Sequence, residues 1–373
     1  MKKIILLSII FLAIAKVNAE TPRTEKETAQ EKIQVAILLD TSGSMQGLIE
    51  QAKSRLWNIV NTLTTLKYKG KTPKIEIALY EYGSYNRYDG DYIRQITPLT
   101  TDLDFISQEL FILTAGGSEE YCGTVIHKAV RDLEWGNNPS DMKLIYIAGN
   151  EIFEQGKIPY KDAIKKAVAQ NIYINTIHCG DKRTGIRDYW QDAAQRGEGK
   201  FFNIDQNATI KDIATPFDDK IQHCNTKLND TYISYGNQGI ARKANQNKQD
   251  ANAQSISVSN YTERAISKSK AIYKNTSWDL VDKYSEDKDI VNNIDKNLLP
   301  SELKEKSKEE LKKIIKQKEE ERTSIQKQIA ELAVKRQAYI DNELKSEISG
   351  DDLGKAINES ILAFGKIKGY MAD

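Results

Sequence analysis

Three oxygen-bearing side chains stand at alternate positions near residue 40 of this chain. Asp40, Ser42 and Ser44 come directly after an apolar run, Ile33 to Leu39. An apolar run of that length predicts a strand buried on both faces, the central strand of a parallel sheet. Ligands of open α/β sheets bind beyond the carboxyl ends of the strands, so these side chains should lie in that crevice. One carboxylate and two hydroxyls suit a hard divalent cation such as Mg²⁺.

The segment Asp40-Thr41-Ser42-Gly43-Ser44 resembles the D-x-S-x-S motif of von Willebrand factor type A domains. In that family the motif forms a metal-ion-dependent adhesion site. The resemblance covers about residues 30–230. It implies one bound divalent cation, Mg²⁺ or else Mn²⁺ or Ca²⁺. The alternative is that Asp40 and Ser42 only cap the following helix, with no metal.

A glycine-flanked stretch from Ala115 to Thr124 supplies further candidate ligands. In the family pattern, a loop here gives the metal a hydroxyl five residues before a glycine, and Ser118 and Gly123 match that spacing. Glu119 adds a carboxylate within reach of the same crevice, and glycines let the backbone approach an ion closely. The alternative is a turn that carries ordinary surface acids.

The third loop departs from the family pattern. A-domains commonly end the strand here in Thr-Asp-Gly, whereas this chain has Ala148-Gly149-Asn150-Glu151. Gly149 therefore takes the position of an aspartate that helps to hold the metal, and the site loses one negative charge. We predict that a Glu151 or Glu119 carboxylate restores this charge by facing the motif hydroxyls. The alternative is a weak site that relies on Asp40 and hydroxyls alone.

Strand and helix patterns alternate along the first two thirds of the chain, as a doubly wound sheet requires. The third predicted strand follows the second after a short connection, which favours an antiparallel edge strand. The fold class is therefore α/β: a doubly wound, mostly parallel, Rossmann-like A-type sheet with one antiparallel edge strand, plus an α-helical C-terminal region. The strands are predicted at Ile33–Leu39, Lys74–Tyr82, Tyr92–Leu99, Lys143–Ala148, Ile172–Cys179 and Phe201–Ile204.

The first residues have the pattern of a secretory signal peptide. Met1-Lys2-Lys3 is followed by an apolar run from Ile4 to Ala15 and by Val17-Asn18-Ala19, a small-residue cleavage site. The apolar run is too short to span a bilayer comfortably. We therefore expect residues 1–19 to be removed and the mature chain to be exported to the periplasm or medium of a bacterium, without a transmembrane segment.

Charge and motifs exclude several functions. The chain has 54 Lys+Arg against 53 Asp+Glu, and removing Lys2, Lys3 and Lys16 leaves 51 against 53, a net charge of −2. Nucleic-acid binding needs a basic face, so it is not expected. No G-x-S-x-G, P-loop or H-E-x-x-H motif is present, so we expect no enzyme. The weakest alternative is a hydrolase whose ion activates water.

The three cysteines allow one disulfide in an exported chain. Cys122 lies in a predicted loop and Cys179 follows a predicted strand, and both should be near the ligand-binding edge. We therefore predict a Cys122–Cys179 bridge, with Cα atoms about 4.4–6.8 Å apart. The alternative is three small buried thiols.

The predicted organisation is an A-domain at residues 30–232, a linker at 233–256 and an α-helical hairpin or small bundle at 257–373. Gly236 to Gln254 has Ile240 as its only large apolar residue, which indicates a linker or a solvated helix. Arg336 stands where a heptad would want a hydrophobic residue, so an autonomous coiled coil is disfavoured. We expect the thin apolar stripe of the tail to pack within the chain, giving a monomer. Association through the tail is the alternative.

These observations predict a non-enzymatic binding module. Its divalent cation would engage an acidic group of a partner protein. The alternative is a structural protein of the cell envelope, with a vestigial metal site and the helical tail as its contact surface.

Overall fold

Strand β1, Lys32–Asp40, lies inside a six-stranded sheet, and every residue after its first is buried. The sheet belongs to a computed structural model that describes residues 30–85, 91–208, 212–344 and 353–372. The predicted signal peptide, residues 1–19, lies outside these residues. Because β1 has sheet neighbours on both sides and helices on both faces, its apolar run is buried as predicted.

The strand order is β4-β3-β1-β5-β6-β7. All pairs are parallel except β3 with β4, which lies at the edge. The predicted fold class, with its one antiparallel edge strand, is confirmed. A separate pair, β2 with β8, was not predicted from the sequence. The remaining strands are β2 (Leu66–Tyr68), β3 (Lys74–Tyr82), β4 (Ile93–Thr100), β5 (Met142–Gly149), β6 (Ile172–Cys179), β7 (Glu198–Ile204) and β8 (Tyr370–Ala372).

Helices follow the strands and continue to the end of the described chain. Those of the first two thirds are α1 (Gln46–Thr65), α2 (Leu103–Phe111), α3 (Cys122–Asp132), α4 (Tyr160–Val168), α5 (Lys182–Arg187), α6 (Trp190–Arg196) and α7 (Asp218–Asn229). The others are α8 (Gly239–Ile256), α9 (Val258–Lys268), α10 (Leu280–Glu286), α11 (Ile290–Asn293), α12 (Ser301–Lys304), α13 (Lys308–Leu344) and α14 (Leu353–Ile367).

The two faces of the sheet have separate cores, because successive side chains of a strand point to opposite faces. On β1, Val35 and Ile37 enter the core that α1, α2 and α14 cover. Ala36 and Leu38 enter the core covered by α3, α4 and α6. The sheet is thus enclosed on both sides, and its carboxyl edge is left for loops.

Most of the segment at residues 233–256, predicted as a linker or a solvated helix, is helix α8. This helix packs on α2 and α9. It buries polar side chains, among them Gln246, Gln249 and Asp250. Glu31 to Asp373 form one compact unit, and the helices after α8 belong to it. The sequence argument missed the burial of this helix because it considered apolar side chains only.

The C-terminal helices pack back on the A-type sheet. Helix α14 lies against α1 and contacts β5, β6 and β7, and the strand after it, β8, pairs with β2. The apolar stripe of α13 is buried within the chain at Leu311, Ile315 and Ile329. Arg336 of α13 is buried too, where it pairs with Asp218 of α7. The residue that disfavoured a coiled coil therefore joins two helices of one chain.

Among the described residues, none of the helices combines the length and apolar character that crossing a membrane requires.

The predicted Cys122–Cys179 bridge is contradicted, since Cys122, Cys179 and Cys224 are all free and buried. Cys122 packs in the core under α3, whereas Cys179 packs in the core on the other face of the sheet. Both residues lie near the carboxyl edge, as predicted, but the sheet separates them.

We expect the three thiols to resist a thiol reagent in the native protein. Burial raises the pKa of all three thiols, so little thiolate is available for reaction. The measurement is titration with a chromogenic disulfide reagent, which should find three thiols per chain only after denaturation. If only one thiol per denatured, unreduced chain reacts, two of the cysteines are bridged and the predicted disulfide is supported.

Candidate metal-binding site

Three loops meet at the carboxyl edge of β1. The first loop, residues 41–45, joins β1 to α1, the second loop, residues 112–121, precedes α3, and the third loop, residues 150–159, follows β5. Leu39 of β1 is paired with Ala148 of β5, so Asp40 and Gly149 end neighbouring strands at the same level. The motif therefore lies in the crevice between adjacent parallel strands, as predicted.

Backbone hydrogen bonds fix the second loop against the first. The N–H of Gly43 donates to Gly117 at 3.1 Å, and the N–H of Gly116 donates to Thr41 at 2.8 Å. Gly117 has a φ of 143°, and a Cβ atom there would overlap the carbonyl oxygen of Gly83. Only glycine tolerates that conformation and that contact. The close approach holds the acids of the second loop beside the motif.

Asp40 and Ser42 present unpaired oxygen atoms to the crevice. Both residues are buried, and the N–H of Ser42 donates to Asp40 Oδ1 at 2.7 Å, a turn that aspartate commonly forms two residues ahead. Asp40 Oδ2 and Ser42 Oγ have no hydrogen-bond partner within the described ranges. Buried polar atoms are nearly always paired, so these two oxygens are available to a ligand that enters the crevice.

Ser44 is exposed at the outer side of the same crevice, where the first and third loops touch. Its Oγ accepts a hydrogen bond from Asn150 Nδ2 at 3.3 Å. The Oδ1 atom of Asn150 is buried and has no partner in the described chain. The third loop therefore brings a neutral amide oxygen to the motif, one residue after Gly149.

Glu120 is the carboxylate that faces the motif, and the sequence analysis did not single it out. The residue is 3% exposed, and its Oε2 atom has no hydrogen-bond partner among the described residues. Its carboxyl group interacts with the side chains of Asp40 and Ser42. No sequence signal separates Glu120 from its neighbour Glu119, because the path of the second loop decides which one points inward.

The two buried acids oppose each other's ionisation. Burial, and then the charge of Asp40, raise the pKa of Glu120 to about 9. Burial raises the pKa of Asp40 to about 6, although hydrogen bonds with Glu120 and Ser42 act in the opposite direction. Two carboxyl groups that resist ionisation side by side favour a proton or a cation between them. The electrostatics of the crevice thus favour positive charge.

The other predicted ligands lie farther out. Ser118 is exposed and has no side-chain hydrogen bond to the motif in the described part of the chain. Glu119 is half-buried and accepts a hydrogen bond from the hydroxyl of Tyr121 at 3.0 Å. Glu151 is exposed, but its charge raises the pKa of both Asp40 and Glu120, so its carboxylate is near the site. Its inward reach stays a prediction.

The donor set fits a hard divalent cation. The described residues contain no group of three or more His, Cys, Asp or Glu side chains suited to a metal. The crevice instead combines two carboxylates with hydroxyl and amide oxygens, and four of these oxygens are buried and unpaired: Asp40 Oδ2, Ser42 Oγ, Glu120 Oε2 and Asn150 Oδ1. Mg²⁺, Mn²⁺ and Ca²⁺ prefer such oxygen ligands.

Exposed apolar side chains surround this edge. Tyr85 follows β3, Ile152 follows β5 and Ile186 lies on α5 after β6, with 67%, 40% and 44% of their surfaces exposed. These strands run parallel, so all three residues belong to the carboxyl edge that carries the motif. These side chains give the edge apolar surface that a binding partner could bury.

A mostly parallel sheet whose inner strand ends in D-x-S-x-S defines a Rossmann-like domain of the A type. Residues 34–216 match the family described as the von Willebrand factor type A domain. This segment, just under half of the chain, is an A-type domain in its fold and its motif. Domains of the family commonly mediate protein binding through a metal-dependent site. A search of curated protein sequences finds no match to the chain.

Solved structures with a similar fold share little sequence with this chain. An aerotolerance-related membrane protein from Bacteroides fragilis is 17% identical over 46% of this chain and 92% of its own, with a TM-score of 0.32. The von Willebrand factor domain of a type V pilus tip protein from Porphyromonas gingivalis is 11% identical over 48% and 90%, with a TM-score of 0.35. Proximal thread matrix protein 1 from the mussel byssus, with a zinc-occupied MIDAS motif, is 14% identical over 47% and 44%, with a TM-score of 0.35.

Proposed function

We propose that this chain is an exported, non-enzymatic binding module that holds one divalent cation and uses it to engage an acidic group of a partner protein. The observation that carries the proposal is the group of buried, unpaired oxygens around Asp40 at the carboxyl edge of the sheet. Asp40, Ser42 and Ser44 would hold the ion, with Asn150 beside them. When bound, the cation supplies an open coordination position for a partner's carboxylate.

The residues of the chain prepare this position in three ways. Backbone hydrogen bonds between the first and second loops hold the oxygen atoms in place without a ligand. The unpaired state of Asp40 Oδ2 and Ser42 Oγ means that no internal bond must break when an ion binds. The exposed rim of Tyr85, Ile152 and Ile186 gives a partner apolar surface to bury around the charged contact. Together these features favour recognition of a carboxylate on an otherwise apolar surface.

The structural-protein alternative receives less support. It needs the helical tail as a contact surface, but the apolar stripe of α13 is already buried inside the chain. Localisation in a bacterial envelope follows from the predicted signal peptide, which lies outside the described residues, and is proposed on that ground.

We expect Asp40→Ala to weaken Mn²⁺ binding by at least about 100-fold, because it removes the carboxylate at the centre of the site. The measurement is calorimetric titration of the mature chain with Mn²⁺. Asp181→Ala is the matched control, since Asp181 is an exposed aspartate after β6 at the same edge and only caps α5. Its affinity should stay within about twofold of wild type, as a cap contributes to stability and not to the site.

The partner chemistry is tested with peptides. An array in which each aspartate or glutamate peptide has an asparagine or glutamine twin is probed with the chain in Mg²⁺ and in EDTA. The proposal is supported if the chain binds only the acidic peptides and only in Mg²⁺. Asp40→Ala should then bind none of them. A wild-type chain that binds no Mn²⁺ at millimolar concentration would end it.

A further inference from the structure

We infer that Glu120 supplies the second negative charge of the metal site, in place of a carboxylate at position 149, whose space the hydroxyl of Tyr82 occupies. The inference rests on the cation site of the proposed function and assigns a ligand that neither the motif nor the family pattern contains. The charge has moved from the third loop to the second, and neither Glu151 nor Glu119 is needed to restore it.

Three side chains of the site converge on one point. A Cβ atom built on Gly83, at the end of β3, would lie 2.9 Å from Asp40 Oδ1, 3.3 Å from Glu120 Cγ and 3.3 Å from Ser42 Cβ. The two carboxylates and the hydroxyl therefore border the same small space, which the absence of a side chain at position 83 keeps open. A cation in this crevice would meet Asp40 and Glu120 from different loops.

Position 149 cannot carry the usual aspartate in this chain. A Cβ atom on Gly149 would overlap the hydroxyl oxygen of Tyr82 and lie 3.0 Å from Asp40 Oδ2. The Tyr82 hydroxyl is held there by a 2.9 Å hydrogen bond that it donates to the carbonyl of Ala148. Tyr82 is fully buried, so its ring cannot swing aside. Gly149 and Tyr82 thus form one arrangement that excludes a carboxylate at position 149.

Glu120 has no structural task that explains its burial. A buried carboxylate is costly unless it is paired, and Glu120 faces a second carboxylate with one oxygen unpaired. With Asp40, it provides two negative charges, the number that balances a divalent cation. Glu119, the adjacent acid, is instead bonded to Tyr121 at the surface. The neighbouring residues therefore form a natural pair of test and control.

The test is titration of the mature chain with Mn²⁺. Binding is measured by calorimetry and by the electron paramagnetic resonance signal of free Mn²⁺. The variants are Glu120→Gln, which keeps the size of the side chain, Glu119→Gln as the matched control, and Asp40→Asn. We expect Glu120→Gln to weaken Mn²⁺ binding about tenfold or more and Glu119→Gln to change it less than about twofold. Circular dichroism and the unfolding midpoint in EDTA establish that each variant is folded.

The outcomes separate the two proposals. If Asp40→Asn loses Mn²⁺ while a folded Glu120→Gln binds as wild type does, Glu120 is no ligand and the inference is overturned, but the cation site stands. If Asp40→Asn also binds as wild type does, the cation lies elsewhere and both proposals fail. Selective loss in Glu120→Gln, with Glu119→Gln unchanged, is the result that supports the inference.

Discussion

Replacing Arg264 with methionine is expected to destabilise the folded chain by about 3–5 kcal/mol. Arg264 of α9 is fully buried and joins two aspartates: Nη1 donates to Asp104 of α2 at 2.8 Å, and Nε donates to Asp250 of α8 at 2.6 Å. Its guanidinium also lies 4.6 Å from the ring centroid of Trp57. Methionine keeps most of the length but leaves both carboxylates without this cation, and an uncompensated buried charge is the main cost.

The surrounding charges do not replace Arg264. Lys268 pairs with Asp250, and it and Arg264 hold the pKa of that carboxyl below its usual range despite burial. Without Arg264, Asp104 keeps the hydroxyl of Tyr273 as a side-chain hydrogen-bond donor in the described part of the chain. The measurement is urea unfolding of wild type and Arg264→Met, monitored by tryptophan fluorescence and by circular dichroism.

Arg242→Met is the matched control. Arg242 of α8 also pairs with an aspartate next to α2, Asp102, at 2.8 Å, but both side chains are more than one third exposed. An exposed pair contributes about 0.2–1 kcal/mol at most, so the control should unfold near the wild-type midpoint. Equal losses in the two variants would contradict the argument, since burial would then make no difference.

The buried polar residues around Arg264 show which parts of the fold could be predicted from the sequence and which could not. The strands were predictable because apolar runs such as that of β1 report burial directly. The burial of helix α8 was missed because it rests on polar contacts: Gln246 bonds to Tyr273, Gln249 to Ser107, and Asp250 to Arg264. Hydrogen-bonded burial leaves no apolar periodicity, and its partners lie far away in the sequence.

In the candidate metal site, too, some residues could be predicted from the sequence and others could not. Asp40 and Ser42 could be placed from the sequence, because a strand followed by its own turn is a local arrangement. Glu120 could not, because its direction depends on the contact of Gly117 with Gly83, two residues from different parts of the chain. Whether position 149 can carry a side chain likewise depends on Tyr82, which reaches this position from another strand. Short-range spacing names the candidates, and long-range packing selects among them.

Without metal, the chain is expected to lose stability as the pH rises from about 4.5 to about 9, and Glu120→Gln is expected to remove much of this dependence. The pKa of Glu120 is raised to about 9 by burial and by Asp40, whereas an unfolded glutamate titrates near 4.3. The folded state therefore keeps a proton that the unfolded state releases. Stability is greatest below the unfolded pKa and falls by up to about 1.4 kcal/mol per pH unit as the pH rises toward the folded pKa.

The measurement is the unfolding free energy of wild type and Glu120→Gln in EDTA at pH 5 and pH 8. The two should be similar at pH 5, because the acid is then protonated and close to the amide in shape and charge. At pH 8 the variant should be more stable by about 1–3 kcal/mol, because ionisation of Glu120 then favours the unfolded state of wild type and the glutamine cannot ionise. Glu119→Gln is the control, and its difference from wild type should not change with pH. A gap between wild type and Glu120→Gln that is equal at both pH values would contradict the prediction.

Adding millimolar Mn²⁺ at pH 8 should reverse the order of the two proteins. A cation that binds only the folded state stabilises it by RT ln(1 + [L]/Kd), so the tighter site gains more. Wild type, with Asp40 and Glu120 both able to ionise toward the ion, should then exceed Glu120→Gln in stability. The buried carboxyl pair would thus destabilise the folded chain without the cation and stabilise it with the cation. If Mn²⁺ makes wild type more stable than Glu120→Gln but does not stabilise Asp40→Asn, the stabilisation by the cation arises at the motif.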